Sequence, residues 1–235
     1  MQIFYAPDID GDLYALNETE SRHSVRVLRM KKGMQVKLID GKGNLYEGVI
    51  TEPDPKGCII RIESVIKNFE ARNYRLHIAI SPLKNPERFE WFVEKSVEIG
   101  VDEITPVICR NTEKPGIKPD RINNIIISAM KQSLKSQATL LNEVCEFPDL
   151  IKGGHSGIKM IAHCSGSGKR SQVGEVYSKA KDAVIIIGPE GDFSEDEIEQ
   201  AERYGYTPVH LGRSRLRTET AGVAACHSIY FINQL

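Results

Sequence analysis

The sequence lacks most of the features that betray a chemistry by their count. Its five cysteines, Cys58, Cys109, Cys145, Cys164 and Cys226, are odd in number, scattered and never in CxxC spacing. Such usage fits reduced thiols in a cytosolic protein better than a disulfide framework or a zinc site. The six histidines form no HxxxH pair, so no structural metal is expected. There is no excess of one charge either: 31 lysines and arginines stand against 32 acidic residues, a net charge of −1. That balance argues against a nonspecific nucleic-acid binder, and any such contact must come from local patches. No apolar run approaches the ~20 residues that span a bilayer. The opening Met1-Gln2-Ile3-Phe4-Tyr5-Ala6-Pro7-Asp8 has no basic flank and no long apolar region. Neither a membrane segment nor a signal peptide is expected, and the location is expected to be cytoplasmic.

What is present divides into two textures. At 235 residues and 40% hydrophobic content, the chain suits two compact domains or one large one. Residues 1–70 read as mostly β, with strands at Met34 to Asp40, Leu45 to Thr51 and Cys58 to Ile66 separated by tight turns. Short strands with such turns suggest a small barrel. One helix is expected from Glu20 to Met30, with Val25 and Leu28 on one side. Arg22, Arg26 and Arg29 then share the other side at i, i+4, i+7, beside His23. They are either a solvated face or a stripe that contacts phosphates.

Asn68 to Asn73 is polar and reads as a linker, and residues 71–235 alternate strand and helix, the pattern of an α/β domain. Leu76 to Ile80, Ile104 to Cys109, Ile158 to Cys164 and Val184 to Ile187 are apolar runs suited to parallel strands covered on both faces. A helix carrying Phe89, Phe92, Val93, Ser96 and Val97 ends at Gly100. Asp120 is placed to N-cap another, with Ile122, Ile125, Ile126, Ala129, Met130, Ser133 and Leu134 on its stripe. Lys131 and Lys135 fall on the solvent side of the second. A last helix is expected from Thr218 to Ile232.

Two glycine-punctuated loops near the end sit between predicted strands and helices. The first is Gly188-Pro189-Glu190-Gly191-Asp192-Phe193, after Ile187. Ser194 and Glu197 follow at capping-box spacing, with Phe193 and Ile198 placed as a hydrophobic staple. Its glycines suggest backbone that other residues cannot adopt. Alone it reads as an ordinary strand-to-helix turn. The second runs Leu211-Gly212-Arg213-Ser214-Arg215-Leu216-Arg217-Thr218-Glu219-Thr220-Ala221. Three arginines beside hydroxyls and a carboxylate exceed what a packing turn needs, and arginine fits phosphate or a base edge. Ligands of open α/β sheets bind at the carboxyl ends of strands, so the two loops are the candidate active site. Ser165 to Ser171 only superficially resembles a phosphate-binding loop, since His163 and Arg170 occupy required positions. It reads instead as a flexible loop at a strand end. His227 with Cys226 forms no defensible nucleophile pair and reads as a packed helix residue.

These two loops in order resemble the SPOUT methyltransferases and, more narrowly, the ribosomal RNA small-subunit methyltransferase E family. Arg22-His23 with Val27-Leu28-Arg29 and Gly33, the turn Asp40-Gly41-Lys42-Gly43, and Glu94-Lys95 through Glu98-Ile99-Gly100-Val101 extend the resemblance along the chain. The family usually has glycine where Asp192 stands, Ile where Arg215 stands, and often Glu-Gln-Ser-x-Arg where this chain has Lys131-Gln132-Ser133-Leu134-Lys135.

The resemblance implies a PUA-like N-terminal β domain for RNA and a C-terminal α/β domain with a trefoil knot. It implies a homodimer that binds S-adenosyl-L-methionine and methylates N3 of one uridine in small-subunit (16S) rRNA, free or in the assembled subunit. The cofactor contacts it implies are Ile187, Gly188, Pro189, Glu190, Gly191, Leu211, Gly212, Leu216 and Arg217. Arg217 is expected to stabilise charge on the pyrimidine, and Glu219 or Glu190 to take its proton unless they only cap helices. Arg22, His23, Arg26, Arg29 and Lys84 are the expected RNA contacts. A ribose 2′-oxygen target and a non-catalytic ribosome-binding factor are the competing readings.

Overall fold

A computed structural model describes residues 2–164 and 169–235, so Ser165 to Gly168 of the glycine-serine loop lie outside the described residues. Internal contacts divide the chain into two units. Met1–Ala71 and Met130–Ala138 form the first, Arg72–Ala129 and Thr139–Leu235 the second.

The first unit holds β1 (Ile3–Tyr5), β2 (Leu13–Ala15), α1 (Glu18–Arg22), β3 (Gln35–Ile39), β4 (Leu45–Glu52) and β5 (Ile59–Ile66). The strands form one sheet in the order β1-β3-β4-β5-β2. Alternating residues such as Val36, Leu38, Ile50 and Ile60 turn inward onto Phe4, Leu16 and Cys58. The expected helix from Glu20 to Met30 is not regular. Asn17 caps α1 by accepting from the Glu20 N–H at 2.9 Å. A π-helical turn, His23–Val27, then follows, closed by Leu28 N–H to His23 C=O at 2.9 Å. A π turn lengthens the repeat, and Arg29 has φ 54 beyond it. Arg22, Arg26 and Arg29 are therefore exposed but not on one α-helical stripe. Ser21 is the internal constraint: its buried hydroxyl donates to Leu16 C=O and accepts from Cys58 N–H.

The second unit carries β6 (Leu76–Ile80), α2 (Pro86–Ile99), β7 (Glu103–Ile108), α3 (Pro119–Gln132) up to Ala129, β8 (Leu140–Leu141), β9 (Cys145–Glu146), α4 (Phe147–Lys152) and β10 (Ile158–Ala162). It continues with β11 (Ser171–Gln172), α5 (Val173–Val176), β12 (Ala183–Ile187), α6 (Glu195–Arg203), β13 (Thr207–His210) and α7 (Thr218–Gln234). Its parallel sheet has the order β11-β13-β10-β12-β6-β7-β8, with β9 also on β7. Every residue of β6 and β12 is buried, which is why both read as unbroken apolar runs. Ile187 of β12 lies opposite Ala162 of β10 and Ile80 of β6, and Ala162 opposite Val209 of β13. The loops that leave these four strands therefore emerge from one edge of the sheet.

Gly100 ends α2 in the left-handed region at φ 118. Helix α3 ends at Gln132 rather than running on to Leu134, which has φ 60 and is exposed. Asp120 falls inside its first turn instead of capping it. Lys131 and Lys135 are not solvated as expected: their ammonium groups pair with Glu20 at 2.6 Å and Glu70 at 4.0 Å within the first unit. Helix α7 packs on α2 and β6 at Gly222, where a Cβ would come within 2.5 Å of the Phe92 ring and 3.0 Å of Ile80. No described helix is long and apolar enough to cross a membrane.

Candidate active site

The first loop leaves β12 and is bound tightly to its surroundings. Its helix starts with a full capping box: Ser194 Oγ accepts from Glu197 N–H, and the Glu197 carboxylate accepts from Ser194 N–H at 2.8 Å. The other Glu197 oxygen accepts from Arg110 N–H at 2.8 Å. Phe193 and Ile198, the staple residues, are both buried in the sheet's core. Asn111 donates to the carbonyls of Gly191 at 3.2 Å and Asp192 at 3.0 Å.

The expectation that Gly188 and Gly191 supply unusual backbone is corrected. Neither has positive φ; what they supply is space. A Cβ on Gly188 would lie 2.9 Å from the Phe193 ring, and one on Gly191 3.1 Å from Asn111 Cβ. Asp192, not a glycine, takes the left-handed conformation, with φ 62.

The second loop is exposed from Gly212 to Arg215 and ends on Arg217, the N-cap of α7, whose side chain makes no capping bond. Between the two loops lies a cavity of about 450 Å³. Ile187, Gly188, Pro189, Glu190, Leu211, Gly212, Leu216, Arg217 and Glu219 of the expected set line it. Gly191 does not; it sits behind the wall against Asn111.

Glu219 is buried, and its Oε1 stands 3.7 Å from Arg88 Nε while Oε2 has no hydrogen-bond partner among the described residues. Glu190 is exposed and accepts from Lys84 N–H at 3.1 Å. Lys84 Nζ pairs with Glu113 at 2.8 Å, and that pairing raises its pKa. Arg22, His23, Arg26 and Arg29 lie in the first unit.

Lining residues that escaped the sequence reading include Arg88 from α2, His163 after β10, and Arg170 of the stretch set aside as only superficially phosphate-binding. His163 is buried with both ring nitrogens unpartnered among the described residues. Burial lowers its pKa from 6.5, Asp192 opposing and Arg170 reinforcing the shift. Only its position at the end of an apolar strand, level with the two loops, signals it in the sequence. Among the described residues no group of His, Cys, Asp and Glu could hold a metal ion.

Comparison with known proteins shows which family the chain belongs to. A family model described as an RNA methyltransferase domain matches residues 70–230, and an RNA methyltransferase PUA domain matches residues 16–63. The ribosomal RNA small subunit methyltransferase E of Buchnera aphidicola subsp. Acyrthosiphon pisum is 30% identical, covering 95% of this chain and 90% of its own. The chain belongs to the ribosomal RNA small subunit methyltransferase E family.

Solved structures agree on the fold. A probable rRNA-methyltransferase from Porphyromonas gingivalis shares 39% identity and a TM-score of 0.94 over 100% of this chain and 99% of its own. A ribosomal RNA small subunit methyltransferase E from Neisseria gonorrhoeae, bound to S-adenosyl methionine, shares 26% identity and a TM-score of 0.89, covering 99% and 98%.

One departure of this chain from the methyltransferase E pattern now has a physical account. Asp is among the few non-glycine residues that tolerate left-handed backbone. At position 192 its carboxylate also accepts from Cys164 N–H at 2.8 Å and Phe193 N–H at 2.9 Å, which holds the loop that glycine would leave freer.

Proposed function

We propose that this chain transfers a methyl group from S-adenosyl-L-methionine to N3 of one uridine in small-subunit (16S) ribosomal RNA. The cavity between the two loops carries this reading, with an exposed arginine at its rim and a buried, half-partnered carboxylate in its wall. Its volume lies in the range of small-molecule sites, and Ile187, Leu211 and Leu216 give it apolar walls. The unpartnered nitrogens of His163 and Oε2 of Glu219 give it buried hydrogen-bonding capacity that a polar ligand satisfies. Both features fit a cofactor with apolar and polar parts.

When bound, S-adenosyl-L-methionine supplies an electrophilic methyl carbon on a sulfonium. The chain's own residues do the rest. Ile187 to Glu190, Leu211, Gly212 and Leu216 hold and orient the cofactor, with Gly191 supporting the wall from behind. Arg217, exposed and without an ion-pair partner among the described residues, grips the uracil and stabilises the negative charge left when N3 loses its proton. Glu219 receives that proton at Oε2, while Arg88 orients the carboxylate from the other side. Glu190 is less suited, because it faces solvent and is engaged by the Lys84 amide.

Arg22, His23, Arg26, Arg29 and Lys84 contact RNA phosphates and set position without reading sequence. The same reading includes a cytoplasmic protein and a homodimer, the dimer supported by exposed Phe231 on α7 and Leu235 just past its end. It also includes a trefoil knot, supported by the return of α7 from the β13 side of the sheet to β6 and α2. The test combines calorimetric titration of the cofactor with mass mapping of 16S rRNA from a deletion strain, before and after treatment. A new methyl group on N3 of one uridine is expected. A ribose 2′-O-methyl group would replace the target, and no cofactor binding at millimolar concentration would leave only a ribosome-binding factor.

A further inference from the structure

Beside the cofactor cavity lies a second one of about 610 Å³. Arg170, Arg213 and Arg215 line it together with His210. Guanidinium groups stay charged at any physiological pH and repel one another, so three around one space need compensation. None of them has a carboxylate partner among the described residues. Asp192 is the single carboxylate in the lining, and its oxygens are taken by the amides of Cys164 and Phe193. The cavity is therefore built for an anion that comes from outside the chain.

We propose that this second cavity is a phosphodiester subsite that holds the RNA backbone next to the nucleotide being methylated. The proposal rests on the methyltransferase reading above. Arg170 and Arg215 line both cavities, so the subsite and the methyl-transfer site share a wall. A strand that places one base in the first cavity must carry its neighbouring phosphates past that wall. Arg213 lines the second cavity alone, which separates this function from cofactor binding. Three arginines also exceed what the single carboxylate of the cofactor calls for, and their planar forks match phosphate oxygens. The subsite also accounts for how a chain with net charge −1 grips RNA through a local patch.

The test uses the full chain and small ribosomal subunits from cells lacking the enzyme. Arg213→Ala is expected to raise the KM for subunits about tenfold, more than it lowers kcat. It should also flatten the dependence of log(kcat/KM) on log salt by about 0.7, the loss of one single-strand phosphate contact. Arg213→Lys should restore most of both, and cofactor affinity measured by calorimetry should stay within about twofold of the parent. Unchanged KM and salt slope in Arg213→Ala would overturn the subsite. So would a parallel loss of cofactor affinity, which would assign the arginines to the cofactor's carboxylate. An unsubstituted chain that binds no cofactor and labels no subunit would instead remove the methyltransferase reading, and the subsite with it.

Discussion

The two loops that face each other across the cavity are built on opposite principles. The loop after β12 is tied down on every side: Asn111 holds its carbonyls, Asp192 holds two amides, Glu197 holds two more, and Phe193 is sunk in the core. The loop after β13 has little of this. Gly212 N–H reaches His210 Nδ1 at 3.3 Å, Arg217 C=O accepts from Ala221 N–H, and the stretch between stands in solvent. A fixed wall costs nothing to order when a small ligand binds. An exposed arm rich in arginine suits a large anionic partner whose shape differs from place to place. The difference separates cofactor binding, assigned to the rigid loop, from substrate engagement, assigned to the exposed one.

The sharpest way to break that division is Arg217→Ala. Removing a group that acts on charge developing in the transition state should lower kcat by 10²-fold or more, about 3 kcal/mol. Cofactor affinity should change by less than about threefold, since Arg217 is only one of many lining contacts. Equal losses in single-turnover rate and calorimetric affinity would show that Arg217 works through the cofactor.

Glu197→Ala attacks the other side. It strands the part-buried Arg110 and Ser194 amides and should cost about 2 kcal/mol in urea unfolding. A loss below about 1 kcal/mol would mean that the first loop does not depend on its anchors.

The anchored loop was also the more legible of the two. Capping box, staple and buried strand are local patterns, and each is present where the sequence put it. The cavity followed from placing two strand ends side by side. What escaped was set by distant partners. Arg88 faces Glu219 from another helix, and Asn111 supports Gly191 from a loop after β7; neither has a local signature. The π turn at His23–Val27 was missed because three arginines at helical spacing mimic a regular helix. The short strands β8, β9 and β11, of two residues each, carry no periodicity to read. Met130–Ala138 groups with the first unit through contacts such as Lys131–Glu20, which no window of sequence contains.

The glycines extend the contrast to smaller effects. Gly188→Ala forces a methyl group to 2.9 Å from the Phe193 ring in a packed setting, which should cost about 2 kcal/mol. Gly212→Ala meets no atom within 4 Å, yet its φ of 119 strains any side chain, at about 1 kcal/mol. Their order in urea unfolding distinguishes a loop limited by space from one limited by backbone. A larger loss at Gly212 would reverse that assignment.

The smallest effect concerns pH and again touches the first loop. Burial, the largest influence, lowers the His163 pKa from 6.5, Asp192 opposes it, and Arg170 adds to it. Below pH 6.5 the unfolded chain therefore takes up a proton that the folded chain refuses until the pH drops further. The unfolded state gains from each such proton, so stability falls as pH is lowered through this window. His163→Asn should flatten that slope without removing it, because burial also holds His77 down at about 4. Double substitution with His77→Gln should flatten it further. Denaturation midpoints at pH 7.5, 6.5 and 5.5 measure both steps. Unchanged slopes in His163→Asn would mean that His163 titrates alike in the folded and unfolded chain, and that water reaches the foot of the anchored wall.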